Sequence, residues 1–113
     1  MTEETIFGKI LTGDIPCEEI YSDDYCLAFK DIEPQAPIHI LIIPRKSIKS
    51  LNEVEATDKS LLGHLLLVAK KIANNQGLEN WRTVINTGEG AGQTVFHLHL
   101  HIMGGRSLQW PPG

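Results

Sequence analysis

Cysteine is nearly absent: Cys17 and Cys26 are the only two thiols in 113 residues, and they lack CxxC spacing. That excludes a disulfide framework and a sulfur-rich zinc site. Both read as small buried thiols in a protein of the reducing cytoplasm. No apolar run is long enough to span a bilayer, and the opening Met1-Thr2-Glu3-Glu4 is acidic where a secretory signal would be basic. A membrane partner is therefore not expected. Basic residues nowhere cluster in fives and the net charge is −4, which argues against a nucleic acid polymer as partner, since phosphate neutralisation drives that binding. A small phosphate-bearing ligand remains open, provided local donors hold it. Repeats, low-complexity tracts and linkers are also missing, so residues 1–113 read as one domain, near the size at which a second subunit helps.

What is present is a row of histidines. In Val95-Phe96-His97-Leu98-His99-Leu100-His101-Ile102-Met103 the even positions are large and apolar, and the odd positions 97, 99 and 101 are histidine. Alternation with period two predicts a strand over Thr94–Met103, with Phe96, Leu98, Leu100 and Ile102 facing the core and the three imidazoles aligned on the other face. Four more strands are expected at Glu18–Ser22, Cys26–Lys30, Ile38–Ile43 and Trp81–Asn86. Thr5–Leu11 reads as a short helix, and Asp58–Gln76 as a long one capped by Thr57 or Asp58 and stopped at Gly77. Strands that follow one another through short turns predict an α+β fold with an antiparallel sheet of about five strands. The long helix carries more apolar surface than one sheet face needs, which favours a homodimer over a closely wrapping sheet.

Histidines two apart on a strand lie roughly 6.6 Å apart along it, so two of the row can converge on one metal but three cannot without a sharp bend. His39 can join from its own strand, which leaves zinc binding as one reading. A division of labour is the other. Neutral imidazole is a good nucleophile near pH 7 and a good leaving group from phosphorus. His99, central in the row, is the candidate nucleophile, with its Nδ1 proton donated to a backbone carbonyl. His101 is placed to protonate a leaving group, and His97 to orient or buffer the site. Gly88, Gly90 and Gly92, just before the row, predict a nest of N–H groups for phosphate, with Gln93 and Thr94 as added donors. Gly104-Gly105 reads as a turn. His64 reads as structural. Asp31 reads either as a surface turn or as an acceptor for ribose hydroxyls.

These residues resemble the histidine triad family, whose His-x-His-x-His motif stands here as His97-Leu98-His99-Leu100-His101. The likeness extends through TIFGKIL, CLAFKDIEPQAPIHILIIPRK, LLGHLLLVAKK and NTGEGAGQTVFHLHLHIMGGR to the ending WPPG. Together these are similar to the Hint branch, adenosine phosphoramidate hydrolases. The resemblance implies a homodimer whose sheet continues across the interface, and a purine nucleotide (AMP- or GMP-type) as the small-molecule partner. It implies attack by His99 on the α-phosphorus, departure of an amine assisted by His101, and hydrolysis of the nucleotidyl-histidine, without metal or other cofactor. His97 and His39 would support the site electrostatically. Asn86, Gly92, Gln93 and Thr94 would hold phosphate and leaving group, and Asp31 the ribose. Ile6, Phe7, Ile10, Phe29, Ile32 and Leu41 would enclose the purine, and Trp110 would reach the partner's site. Lys30 stands where this branch often has histidine, a departure that bears on nucleoside contacts. A nucleotide-binding adaptor with vestigial hydrolysis, and a zinc protein, are the alternatives.

Overall fold

The computed structural model describes residues 4–113; Met1-Thr2-Glu3, most of the acidic opening, lies outside the described residues. Helix α1 (Ile6–Leu11) starts where the Thr5 hydroxyl accepts the Gly8 N–H at 3.1 Å. Strands β1 (Glu19–Ser22) and β2 (Cys26–Lys30) form an antiparallel hairpin. Asp23 makes the turn, because its carboxylate accepts the Tyr25 and Cys26 N–H groups at 2.7 and 2.9 Å. After β3 (Ile38–Pro44) comes helix α2 (Lys59–Asn75), with Asp58 at its N-cap position and Gly77 in the left-handed conformation beyond its end. The Asp58 side chain does not cap the helix; it takes the Glu55 N–H and the Lys46 ammonium instead. Strands β4 (Trp81–Val84) and β5 (Leu100–Gly104) complete the chain.

The five strands form one antiparallel sheet in the order β1-β2-β3-β5-β4, the α+β architecture read from the sequence. Alternation on the central strand β3 splits the core in two. Ile40 and Ile42 pack with Leu65, Val68, Ala69 and Ile72 of α2, while Leu41 and Ile43 pack with Phe7, Leu27 and Phe29 on the opposite face. Each large side chain so buried stabilises the fold by about 1.5–3 kcal/mol. Leu66 and Leu67 of α2, 53% and 69% exposed, point away from both clusters. Cys26 is fully buried as expected, whereas Cys17, in the connection from α1 to β1, is exposed.

The strand expected over Thr94–Met103 is only half there, since β5 begins at Leu100. In the β3–β5 register Ile42 faces Leu100, so continued pairing would bring Leu98 opposite Pro44. Proline has no N–H to give, and the ladder stops. Leu98 instead donates its N–H to the Ile48 carbonyl at 2.6 Å. Leu98, Leu100 and Ile102 remain buried, but Phe96, expected in the core, is 45% exposed because the segment has already left the sheet.

Candidate active site

Although only His101 lies within β5, all three histidines stay on the α1 side of the sheet. The ring of Phe7 meets His99 edge-on at 4.9 Å and His97 at 6.4 Å, and the His99 and His101 rings are 5.1 Å apart. His99 Nδ1 lies 2.7 Å from the His97 carbonyl, and His97 Nε2 lies 2.8 Å from the Pro44 carbonyl. A carbonyl only accepts, so Nδ1 of His99 and Nε2 of His97 carry the protons. The Nε2 of His99 therefore presents a lone pair.

A second proton chain runs through His39. The Gln35 N–H donates to His39 Nδ1 at 2.9 Å, and His39 Nε2 lies 2.9 Å from His101 Nδ1. An amide only donates, so in neutral His39 the proton sits on Nε2 and is given to His101 Nδ1. The proton of His101 is left on its own Nε2. Asp31 flanks the pair, with Oδ2 at 3.4 Å from His39 Nε2 and Oδ1 accepting the Glu33 N–H at 2.8 Å.

Burial holds all four imidazoles below their ordinary pKa. His101 is lowered furthest, to about 4, by burial first and then by the neighbouring His99 and His39. At neutral pH the cluster is uncharged, as a set of nucleophile and hydrogen-bond donors must be.

The histidines open into a cleft of about 550 Å³, a size suited to a nucleotide. His39, His99 and His101 line it together with Ile6, Phe7, Ile10, Phe29, Asp31, Ile32, Leu41 and Thr94. Asn86, Gly92, Gln93 and Trp110 do not line it, and His97 borders a separate hollow beside the start of α1. Cys17, expected as a small buried thiol, lines the cleft too, as do Gln35 and Val95, which no motif marks. A larger, shallower hollow of about 710 Å³ lies along the outer edge of β4 and has no histidine in its walls.

A sequence profile of the HIT domain matches residues 12–108. The chain belongs to the HIT domain family. It is 60% identical to an uncharacterized HIT-like protein of Synechococcus elongatus and 55% identical to one of Synechocystis, each over the full length of both chains. Its fold is that of a HIT family hydrolase of Legionella pneumophila, with TM-score 0.94 and 48% identity, covering 96% of this chain and 98% of the other. A histidine triad protein of Clostridium difficile superposes with TM-score 0.91 at 39% identity, covering 96% of each chain.

Within this HIT domain the glycine loop departs from the expected phosphate nest. Gly88 and Gly92 do take positive φ, but the N–H groups of Ala91, Gly92 and Gln93 all donate to carbonyls of the loop itself. Gln93 is buried, and its side chain is engaged there too. Its Oε1 accepts the Gly88 N–H, and its Nε2 donates to the Lys49 and Val95 carbonyls. The loop is thus a self-bonded knot that delivers Thr94 and Val95 to the cleft. Asn86 sits against Gly92. Lys30, at the family's frequent histidine position, lines the cleft together with Glu18, with which it pairs at 3.3 Å.

Two groups of side chains among the described residues bring three possible metal ligands within 4.8 Å of one another. In Asp31, His39 and His101, the Gln35 N–H occupies Nδ1 of His39, so metal binding at Nε2 would demand an imidazolate. In Asp23, Cys26 and His64, both carboxylate oxygens already accept hydrogen bonds from Tyr21, Tyr25, Cys26 and His64, and burial pushes the Cys26 thiol up to about 12. Both donor sets are thus already engaged in hydrogen bonds within the protein. The second group ties α2 to the β1–β2 turn, the structural place expected for His64.

Proposed function

We propose that this HIT domain is a purine nucleoside phosphoramidate hydrolase of the Hint type. The observation that carries the reading is the pair of complementary nitrogens in one cleft: an unprotonated Nε2 on His99 beside a protonated Nε2 on His101. The His99 lone pair attacks the α-phosphorus, an N–P bond forms, and the bond from phosphorus to the amine nitrogen breaks. His101 gives its Nε2 proton to that nitrogen, which turns a poor leaving group into a neutral amine. The negative charge left on the His101 ring is balanced by the positive charge that the phosphorylated His99 ring, with its Nδ1 proton, acquires 5.1 Å away. Water then attacks the nucleotidyl-histidine, His101 takes back a proton, and a nucleoside monophosphate leaves. No metal takes part in either step.

Ile6, Phe7, Ile10, Phe29, Ile32 and Leu41 enclose the purine in this reading, Oδ2 of Asp31 accepts the ribose hydroxyls, and the Thr94 hydroxyl meets the phosphate. His39 holds His101 in the donating tautomer, and His97 supports His99 through its carbonyl. Asn86, Gly92 and Gln93 act by shaping the loop beneath the phosphate. The protein works as a homodimer in the cytoplasm. Leu66 and Leu67 together with the outer edge of β4 form the contact, and Trp110 extends toward the partner's cleft from a tail tethered by Arg82 to the Gln109 carbonyl. Rapid quenching with labelled AMP-lysine, followed by mapping of the modified residue, tests the scheme. Label on His99 with release of lysine is expected. Turnover without a covalent adduct, or an adduct elsewhere, overturns it.

A further inference from the structure

The hydrogen bond that sets the His39 tautomer comes from the Gln35 backbone N–H, and a charged side chain outside the cleft holds the same residue by its carbonyl. Gly105, at φ +90, turns the chain out of β5 so closely past Pro37 that a Cβ would sit 3.0 Å from the Pro37 Cβ. The next residue, Arg106, then lies across the segment before β3. Its Nε and Nη2 both donate to the Gln35 carbonyl, at 3.0 and 2.9 Å, and its Nη1 donates to the Ser107 carbonyl at 2.9 Å. A guanidinium fork on one carbonyl oxygen fixes orientation as well as position. Gln35 is the residue whose N–H rests on His39 Nδ1.

We propose that Arg106 is a positioning residue for the reaction: by gripping the Gln35 carbonyl it keeps the Gln35 N–H on His39, and so keeps the transferable proton on the cleft-facing nitrogen of His101. This rests on the phosphoramidate hydrolase reading. If the amide withdraws, His39 is free to carry its proton on Nδ1 and to accept at Nε2. His101 then satisfies it by moving its own proton to Nδ1, which leaves Nε2 bare and unable to protonate an amine. Arg106 itself does not line the cleft, so its effect on substrate affinity is small.

The test compares the full-length wild type with Arg106→Ala and Arg106→Lys on two AMP derivatives. One carries an alkylamine, which needs a proton to leave; the other is a p-nitrophenyl ester, which does not. A loss of general-acid help predicts about a tenfold fall in kcat on the alkylamide for Arg106→Ala, partial recovery in Arg106→Lys, and about twofold or less on the ester, with KM unchanged. Nitrogen-15 shifts of the imidazoles should show His39 and His101 protonated at Nε2 in the wild type and mixed tautomers in Arg106→Ala. Equal losses on both substrates, no loss, or a wild-type His39 protonated at Nδ1 overturns the assignment. A wild type inert toward both substrates overturns the hydrolase reading instead, and the imidazole shifts then decide the role of Arg106 alone.

Discussion

His97 and His99 are linked through the backbone of one and the ring of the other: the His97 carbonyl accepts the Nδ1 proton of His99 at 2.7 Å. The first histidine of the row thus fixes the tautomer of the second, while its own ring turns away to the Pro44 carbonyl. Spacing alone does not foresee this arrangement. It makes the nucleophile depend on a main-chain atom that survives most substitutions at position 97.

Replacing His99 by Gly removes the only cleft-lining ring with a bare Nε2. Hydrolysis of an AMP phosphoramidate should fall by about 10⁴-fold or more, because a lost nucleophile takes the covalent route with it. The apolar walls and Asp31 remain, so AMP should still bind with little change by calorimetry. Undiminished turnover would show that another group attacks.

Acid should act on stability before it acts on activity. Because burial lowers the imidazole pKa values, the rate should stay level as pH falls through 6.5, where an ordinary histidine would already be charging. His101 passes from 6.5 to about 4 on folding. Between those limits the unfolded chain binds a proton that the folded chain refuses. Stability is therefore fully present above pH 6.5 and lost as pH drops toward 4, by up to about 3 kcal/mol from this group. Urea midpoints at pH 7, 5.5 and 4.5 measure the slope; midpoints that hold steady or rise toward acid would contradict the buried, neutral cluster.

Most of the scaffold was legible because its determinants are local. The alternation in Ile38-His39-Ile40-Leu41-Ile42-Ile43 marks β3 to within a residue, and the cap and stop residues mark α2 as closely. The sidedness of the histidines was legible too. Phe96 was misplaced because its fate is decided by Pro44 on a neighbouring strand, which a period-two pattern does not register. The loop at Gly88–Gln93 follows the same rule: glycine content shows that N–H groups can converge, not which of them their own loop will use. Gln35 went unseen because a backbone amide looks the same at every residue.

The proposed dimer gives a separate prediction, since Leu66 and Leu67 are large apolar residues exposed on α2. Sedimentation of the wild type should give twice the chain mass at micromolar concentration. Leu67→Glu should weaken association by at least about tenfold, the effect of placing a charge in an apolar contact. Because Leu67 is 69% exposed within one subunit, the monomer should remain folded by circular dichroism. A wild-type monomer, or a variant that dimerises equally well, would assign this face to another partner.

Gln93 separates two jobs that a residue beside a phosphate site can have. Its side chain is 1% exposed and makes three hydrogen bonds, to Gly88, Lys49 and Val95. Truncation in Gln93→Ala leaves the Lys49 and Val95 carbonyls without that donor and opens a small void, a combination that costs about 1–3 kcal/mol. The melting temperature should fall by several degrees. Because the loop carries Thr94 and the path to His99, kcat should fall with it. A side chain that served as a phosphate ligand would behave differently: its loss would raise KM and the dissociation constant for AMP while leaving the melting temperature in place. The three hydrogen bonds predict the first pattern, and finding the second would return Gln93 to the phosphate site.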